Sequence, residues 1–144
     1  SLPAHYLAVA APADLPVSSI TLDTPSDLRA TSHGADWIAI THADFMTETL
    51  QLAAHRRDFS GYRTAVVDVQ DIYDEFSGGV LNPEAIRDFV AYAYQNWQRP
   101  APRYLLLVGD GSYDYRDYLG YPDKIYIPPY MDMVDCFFGE VPAD

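Results

Sequence analysis

The sequence predicts an α/β chain with three layers, helices on both faces of a mainly parallel sheet, preceded by a short β segment. Three observations point there. Apolar runs of strand length recur at "WIAITH", "YRTAVVDV" and "RYLLLVG". Between them lie stretches with helical spacing. The resulting order of strand, helix, strand, helix, strand favours parallel crossovers and a sheet covered on both sides.

The first strand begins at Trp37. Its continuous apolar character suits a strand buried on both faces. A helix is expected over Ala43 to Phe59. Met46, Leu50 and Ala53, together with Phe45, Leu52 and Phe59, are read as one apolar stripe, and Gly61 as its stop. The second strand is "YRTAVVDV". The following "QDIYDEFSGG" reads as a connection holding about one helical turn. Asn82-Pro83-Glu84 then starts a helix: Asn caps, Pro fits the first turn, and Glu suits the positive end of the dipole. Ile86, Phe89, Val90, Ala93 and Trp97 keep helical spacing up to "RPAP". "RYLLLVG" is the third strand, and "KIYIPPY" a short fourth one limited by its prolines.

The N-terminal part is different. Prolines interrupt it, "SSITL" reads as a short strand, and "DTPSDLRATSHGAD" is rich in turn formers. We assign residues 1–27 to a β-ribbon and linker from a preceding domain and residues 28–144 to the α/β unit. The open ends of the pattern suggest a piece of a longer protein.

Composition narrows function. The 144 residues carry a net charge of -12, which argues against nucleic acid, whose phosphates need a basic surface. No apolar run approaches the roughly 20 residues that span a bilayer. Hydrophobic content of 49% supports a packed core. One cysteine, Cys136, excludes an intrachain disulfide.

In a parallel sheet, ligands bind beyond the carboxyl ends of the strands. Those ends carry Thr41-His42, Asp68 and Gly109-Asp110. "VGDGSYDYRDY" offers two glycines, but Asp114 stands where a dinucleotide loop needs its third, and a carboxylate there repels a pyrophosphate. No lysine completes a Walker loop. Ser112 lacks the G-x-S-x-G frame of a nucleophile elbow. Asp110, Asp114 and Asp117 are oxygen donors in one short loop and are the candidate calcium ligands, although their spacing is not that of an EF-hand. The bland alternative is that they cap turns. Cys136 and His42 are the thiol and imidazole that a cysteine peptidase would need. Nothing in the sequence brings them together: Cys136 also reads as a small buried hydrophobe beside Phe137 and Phe138, and His42 as a cap of the next helix. His33-Gly34 lacks an apolar strand before it, and His55 reads as part of an exposed helix face. Tyr113, Tyr115, Tyr118, Tyr121, Tyr126 and Tyr130 suit a groove or a domain contact, and we favour the contact.

Several segments taken together resemble the gingipain-type cysteine peptidase family: "GADWIAITHADF", "YRTAVVDVQDIYDEFSGGVLNPEAIRDFVAYAYQNW", "RYLLLVGDGSYDYRDYLG" and "IPPYM". The resemblance runs from about Ser18 to the end. It implies a caspase-like peptidase domain of two similar subdomains. In that family the second subdomain holds the catalytic His, in a His-Gly after an apolar strand, and the catalytic Cys, after a small residue. This chain resembles the first subdomain, which has no dyad. His33-Gly34 and Cys136 both depart from the dyad pattern, so no catalytic residue is carried over. The resemblance further implies an extracellular, secreted or cell-surface parent, a downstream catalytic subdomain as partner, peptide as the parent's substrate, and calcium as a stabilising ion. The alternatives are a non-peptidase α/β scaffold or binding module, which calcium could stabilise, and, more distantly, a small-molecule enzyme with a cofactor at Gly109-Gly111.

Overall fold

The computed structural model describes residues 22, 24–112, 114, 118, 120 and 124–129. Among the described residues, three strands form one parallel sheet in the order β2-β1-β3: β1 is Trp37–Thr41, β2 Thr64–Asp68 and β3 Tyr104–Val108. Trp37 is in register with both Thr64 and Tyr104, so the three strands start level.

All five residues of β1 are buried, as a central strand between two helical layers requires. Ile38 and Ile40 face one layer and pack with Val67, Ile72, Ile86, Phe89 and Trp97. Trp37 and Ala39 face the other and pack with Ala53, Val66 and Leu106. The first layer holds α2 (Val69–Ser77) and α3 (Pro83–Asn96), the second α1 (Met46–Ser60). The expected α/β/α arrangement is therefore present.

The helix α3 follows the sequence expectation closely. Asn82 Oδ1 accepts from Glu84 N at 2.9 Å, Pro83 occupies the first turn, and Ala85, Ile86, Phe89 and Ala93 are buried. Phe89 is fully buried, with Phe76 and Trp97 edge-on at 5.8 and 5.7 Å.

Three expectations need correction. The connection after β2 is a full helix, α2, of nine residues. Asp68 caps it by accepting from Gln70 N at 3.0 Å, and Gly78 ends it at φ 64°. Its buried face uses Val69, Ile72 and Tyr73, with Phe76 packed beside them. The stripe of α1 is also different. Phe45, Leu52 and Phe59 lie about 100° round the helix from Met46, Leu50 and Ala53, so the two sets make two lines. The buried positions are Thr49 and Ala53, while Phe59 is 81% exposed and Leu50 52%. Short side chains face the sheet and allow a close approach. Finally, residues 124–129 form no strand; they fold back over the end of β3. The proposed strand at Ser18–Leu22 lies outside the described residues apart from Leu22.

One ion pair ties the starts of all three strands. Asp36 accepts from Arg63 through both carboxylate oxygens, at 3.0 Å from Nη2 and 2.9 Å from the backbone N–H. The Asp36 carbonyl accepts from Arg103 N and Tyr104 N, and the Arg63 carbonyl accepts from Asp36 N and Trp37 N. Arg63 also reaches the carbonyls of Arg99 and Pro100. Gly34 makes room for it, since a Cβ there would lie 2.9 Å from Nη1. No described helix is long and apolar enough to cross a membrane.

Candidate functional site at the carboxyl ends of the strands

The carboxyl ends hold the polar groups that the sequence singled out, and each has a structural partner. At the end of β1, Thr41 is fully buried, with the Thr49 hydroxyl 3.1 Å from its own. His42 Nδ1 accepts from Asp44 N at 3.1 Å and so caps the 3-10 turn Ala43–Phe45. Its ring lies edge-on to Tyr126 at 5.3 Å. The Asp44 carboxylate pairs with Lys124, and the hydrogen bond from that ammonium holds its pKa below the ordinary carboxylate value. At the end of β2, Asp68 is the cap of α2.

The end of β3 shows what its glycines do. The Asp110 carbonyl accepts from both Tyr126 N (2.9 Å) and Ile127 N (3.1 Å), which lays residues 126–127 across the Gly-Asp-Gly turn. Gly109 has φ 144°, a conformation that side chains disfavour, and a Cβ on it would lie 2.7 Å from the Tyr126 Cβ. A Cβ on Gly111 would lie 2.1 Å from the Ile127 carbonyl oxygen. The turn is glycine-rich because another backbone crosses it. Ile127, 7% exposed, then closes the end of the core.

The acidic loop is only partly in view. Asp110 Oδ1 accepts from Gly111 N at 2.8 Å, and Asp114 N donates to Ser112 Oγ at 3.1 Å. Asp117 lies outside the described residues. Among those described, no three His, Cys, Asp or Glu side chains converge on a point that could hold a metal ion.

The histidines fall on structural duties too. His33 lies before β1, at the opposite end of the sheet, where Nε2 donates to the Asp27 carboxylate at 2.9 Å and the ring packs on Trp97 at 5.2 Å. His55 stacks on Phe59 on an exposed face of α1. Cys136 lies outside the described residues. Of the six tyrosines assigned to a contact, Tyr118 and Tyr126 are described. Tyr118 is exposed, whereas Tyr126 packs on His42 and Phe45.

One concave feature was not read from the sequence. A groove of about 590 Å³ runs between α3 and β3, bounded by Ile86, Val90, Leu105, Leu107, Ile127 and Pro129. Leu105 and Leu107 share a sheet face with Ile38 and Ile40, yet are 46% and 47% exposed. The helical layer covers β1 and stops short of β3. The run "LLL" gave a signal, because β3 is the outer strand of the described sheet and such strands normally carry charge or proline.

The sequence profile of peptidase family C25 matches residues 30–144. The chain belongs to peptidase family C25. This is the family of the gingipain-type cysteine peptidases. Among solved structures, this C25 chain is similar to the dimeric latent PorU from Porphyromonas gingivalis, with 30% identity and a TM-score of 0.44 over 56% of its length. The matched region is 7% of the PorU chain. A search of curated proteins finds no match.

Proposed function

We propose that this C25 chain is the non-catalytic first subdomain of a secreted or cell-surface gingipain-like cysteine endopeptidase. Residues 28–144 form that subdomain, and residues 1–27 belong to a β-ribbon and linker before it. Its role is to pack on a downstream catalytic subdomain and support the cleft in which a peptide is cut. In this scheme the Cys thiolate and the His general base both belong to the second subdomain.

One contrast carries the reading. Among the described residues, the polar side chains at the strand ends are engaged in caps and turns, while the apolar flank of β3 is left uncovered. A surface of that kind needs cover, and an acidic, water-facing exterior does not provide it. The choice of the catalytic subdomain as the cover rests on family membership.

The test uses a chain that carries both subdomains. Leu107→Glu places a charge in the groove at a half-exposed position. The expected result is a loss of peptidase activity of about tenfold or more, as a misplaced support shifts reacting groups, with the folded state retained by circular dichroism. Unchanged activity in a folded Leu107→Glu chain would overturn the packing role.

A further inference from the structure

Residues 24–30 look like loose linker in the sequence, but their backbone is gripped by the helical layer. One carboxylate oxygen of Glu75, on α2, accepts from the Ser26 hydroxyl at 2.5 Å and from Leu28 N at 2.7 Å. The other accepts from Arg29 N at 3.2 Å. The carbonyls on the same residues are held from α3 and its end: Trp97 Nε1 donates to Leu28 O at 2.9 Å, and the Tyr92 hydroxyl donates to Arg29 O at 2.7 Å. Arg29 reaches back, donating to the Glu75 carbonyl at 3.0 Å, with its guanidinium 4.1 Å from the centre of the Phe76 ring. Leu28 is 8% exposed and belongs to the main core.

A flexible linker leaves its peptide groups to water, because fixing each residue costs about 1–2 kcal/mol of conformational entropy. Here both N–H and both C=O groups of Leu28 and Arg29 are satisfied by side chains 46 to 69 residues away in sequence. The partners are a carboxylate for the donors and an indole and a phenol for the acceptors. That division matches the needs of the segment group by group.

We propose that residues 24–30 are a fixed joint, seated on α2 and α3 with Glu75 as its principal anchor, which sets the direction from which the preceding chain meets the α/β unit. The chain leaves the seat at His33, whose carbonyl accepts from Gln98 N at 2.7 Å, and enters β1 four residues later. The joint therefore sits at the amino end of the sheet, opposite Asp68 and Asp110.

Hydrogen exchange on the 144-residue chain tests this. In the unmodified chain the amides of Leu28 and Arg29 are expected to exchange at least about a hundredfold more slowly than in a free chain, as docked backbone does. In Glu75→Ala, that protection is expected to fall by about tenfold or more, with Ile38 and Ile40 unchanged. Trypsin cleavage after Arg29 should accelerate in parallel. Free-chain exchange at Leu28 and Arg29 in the unmodified protein would overturn the joint, and that readout does not depend on the variant's folding. Unchanged exchange in a folded Glu75→Ala chain would overturn the role of Glu75.

Discussion

Asp36 and Arg63 face each other across the amino ends of the sheet, joined by a two-pronged ion pair whose backbones also bond to the strands on either side. The hydrogen bonds from the Arg63 side chain and backbone hold the Asp36 carboxyl below its ordinary pKa. Such a group ionises more readily in the folded chain. Its stabilisation is complete above the unfolded value of about 3.9 and is lost as the pH falls through the lower folded value. Asp36→Asn is expected to destabilise the chain by about 1 kcal/mol near neutral pH, a modest figure because the pair is partly solvated. Melting curves of the two proteins should converge in strong acid. A gap that stays constant down to pH 2 would contradict this assignment.

The crossing of residues 126–127 over the Gly-Asp-Gly turn makes a second prediction. Gly111→Ala places a methyl group against the Ile127 carbonyl, with Pro129 Cδ 2.9 Å away on the other side. Two obstacles, one of them backbone, leave little room to shift. A loss of about 1–3 kcal/mol is expected, together with faster amide exchange at Tyr126 and Ile127. An unchanged melting temperature would show that the crossing does not constrain the turn.

The faces of α1 give a third. Phe59 is 81% exposed, so Phe59→Ser should change stability by no more than about 0.5 kcal/mol. Ala53 is buried against Trp37 and Ala39, so Ala53→Leu should cost about 1–3 kcal/mol by overpacking. Chemical denaturation of the two variants separates them. The reverse order would contradict the assignment of Ala53 to the buried face and Phe59 to the exposed one.

These cases also show what the sequence could and could not tell. Trp37–Thr41 was legible because a central strand covered twice must be apolar throughout. Asn82-Pro83-Glu84 was legible because capping is local chemistry. The helix α2 was missed although Val69, Ile72, Tyr73 and Phe76 keep helical spacing and Asp68 is a good cap; reading Val69 as the end of a strand hid both. The stripe on α1 was read rightly at Ala53 and wrongly at Leu50 and Phe59, because close packing on the sheet selected Thr49 beside Ala53 over the larger side chains. At the strand ends, the sequence placed the polar residues correctly but could not assign their partners. The glycines of residues 109–111 answer to a backbone that returns from Tyr126, and nothing within the turn itself reveals that crossing.

On the proposed reading, this C25 chain supports catalysis and the catalytic dyad lies in another subdomain. The most direct measurement is hydrolysis of a broad pool of fluorogenic peptides by the folded 144-residue chain under reducing conditions, beside Cys136→Ala. No turnover above buffer is expected in either protein. Thiol-dependent cleavage by the unmodified chain that disappears in Cys136→Ala would contradict it.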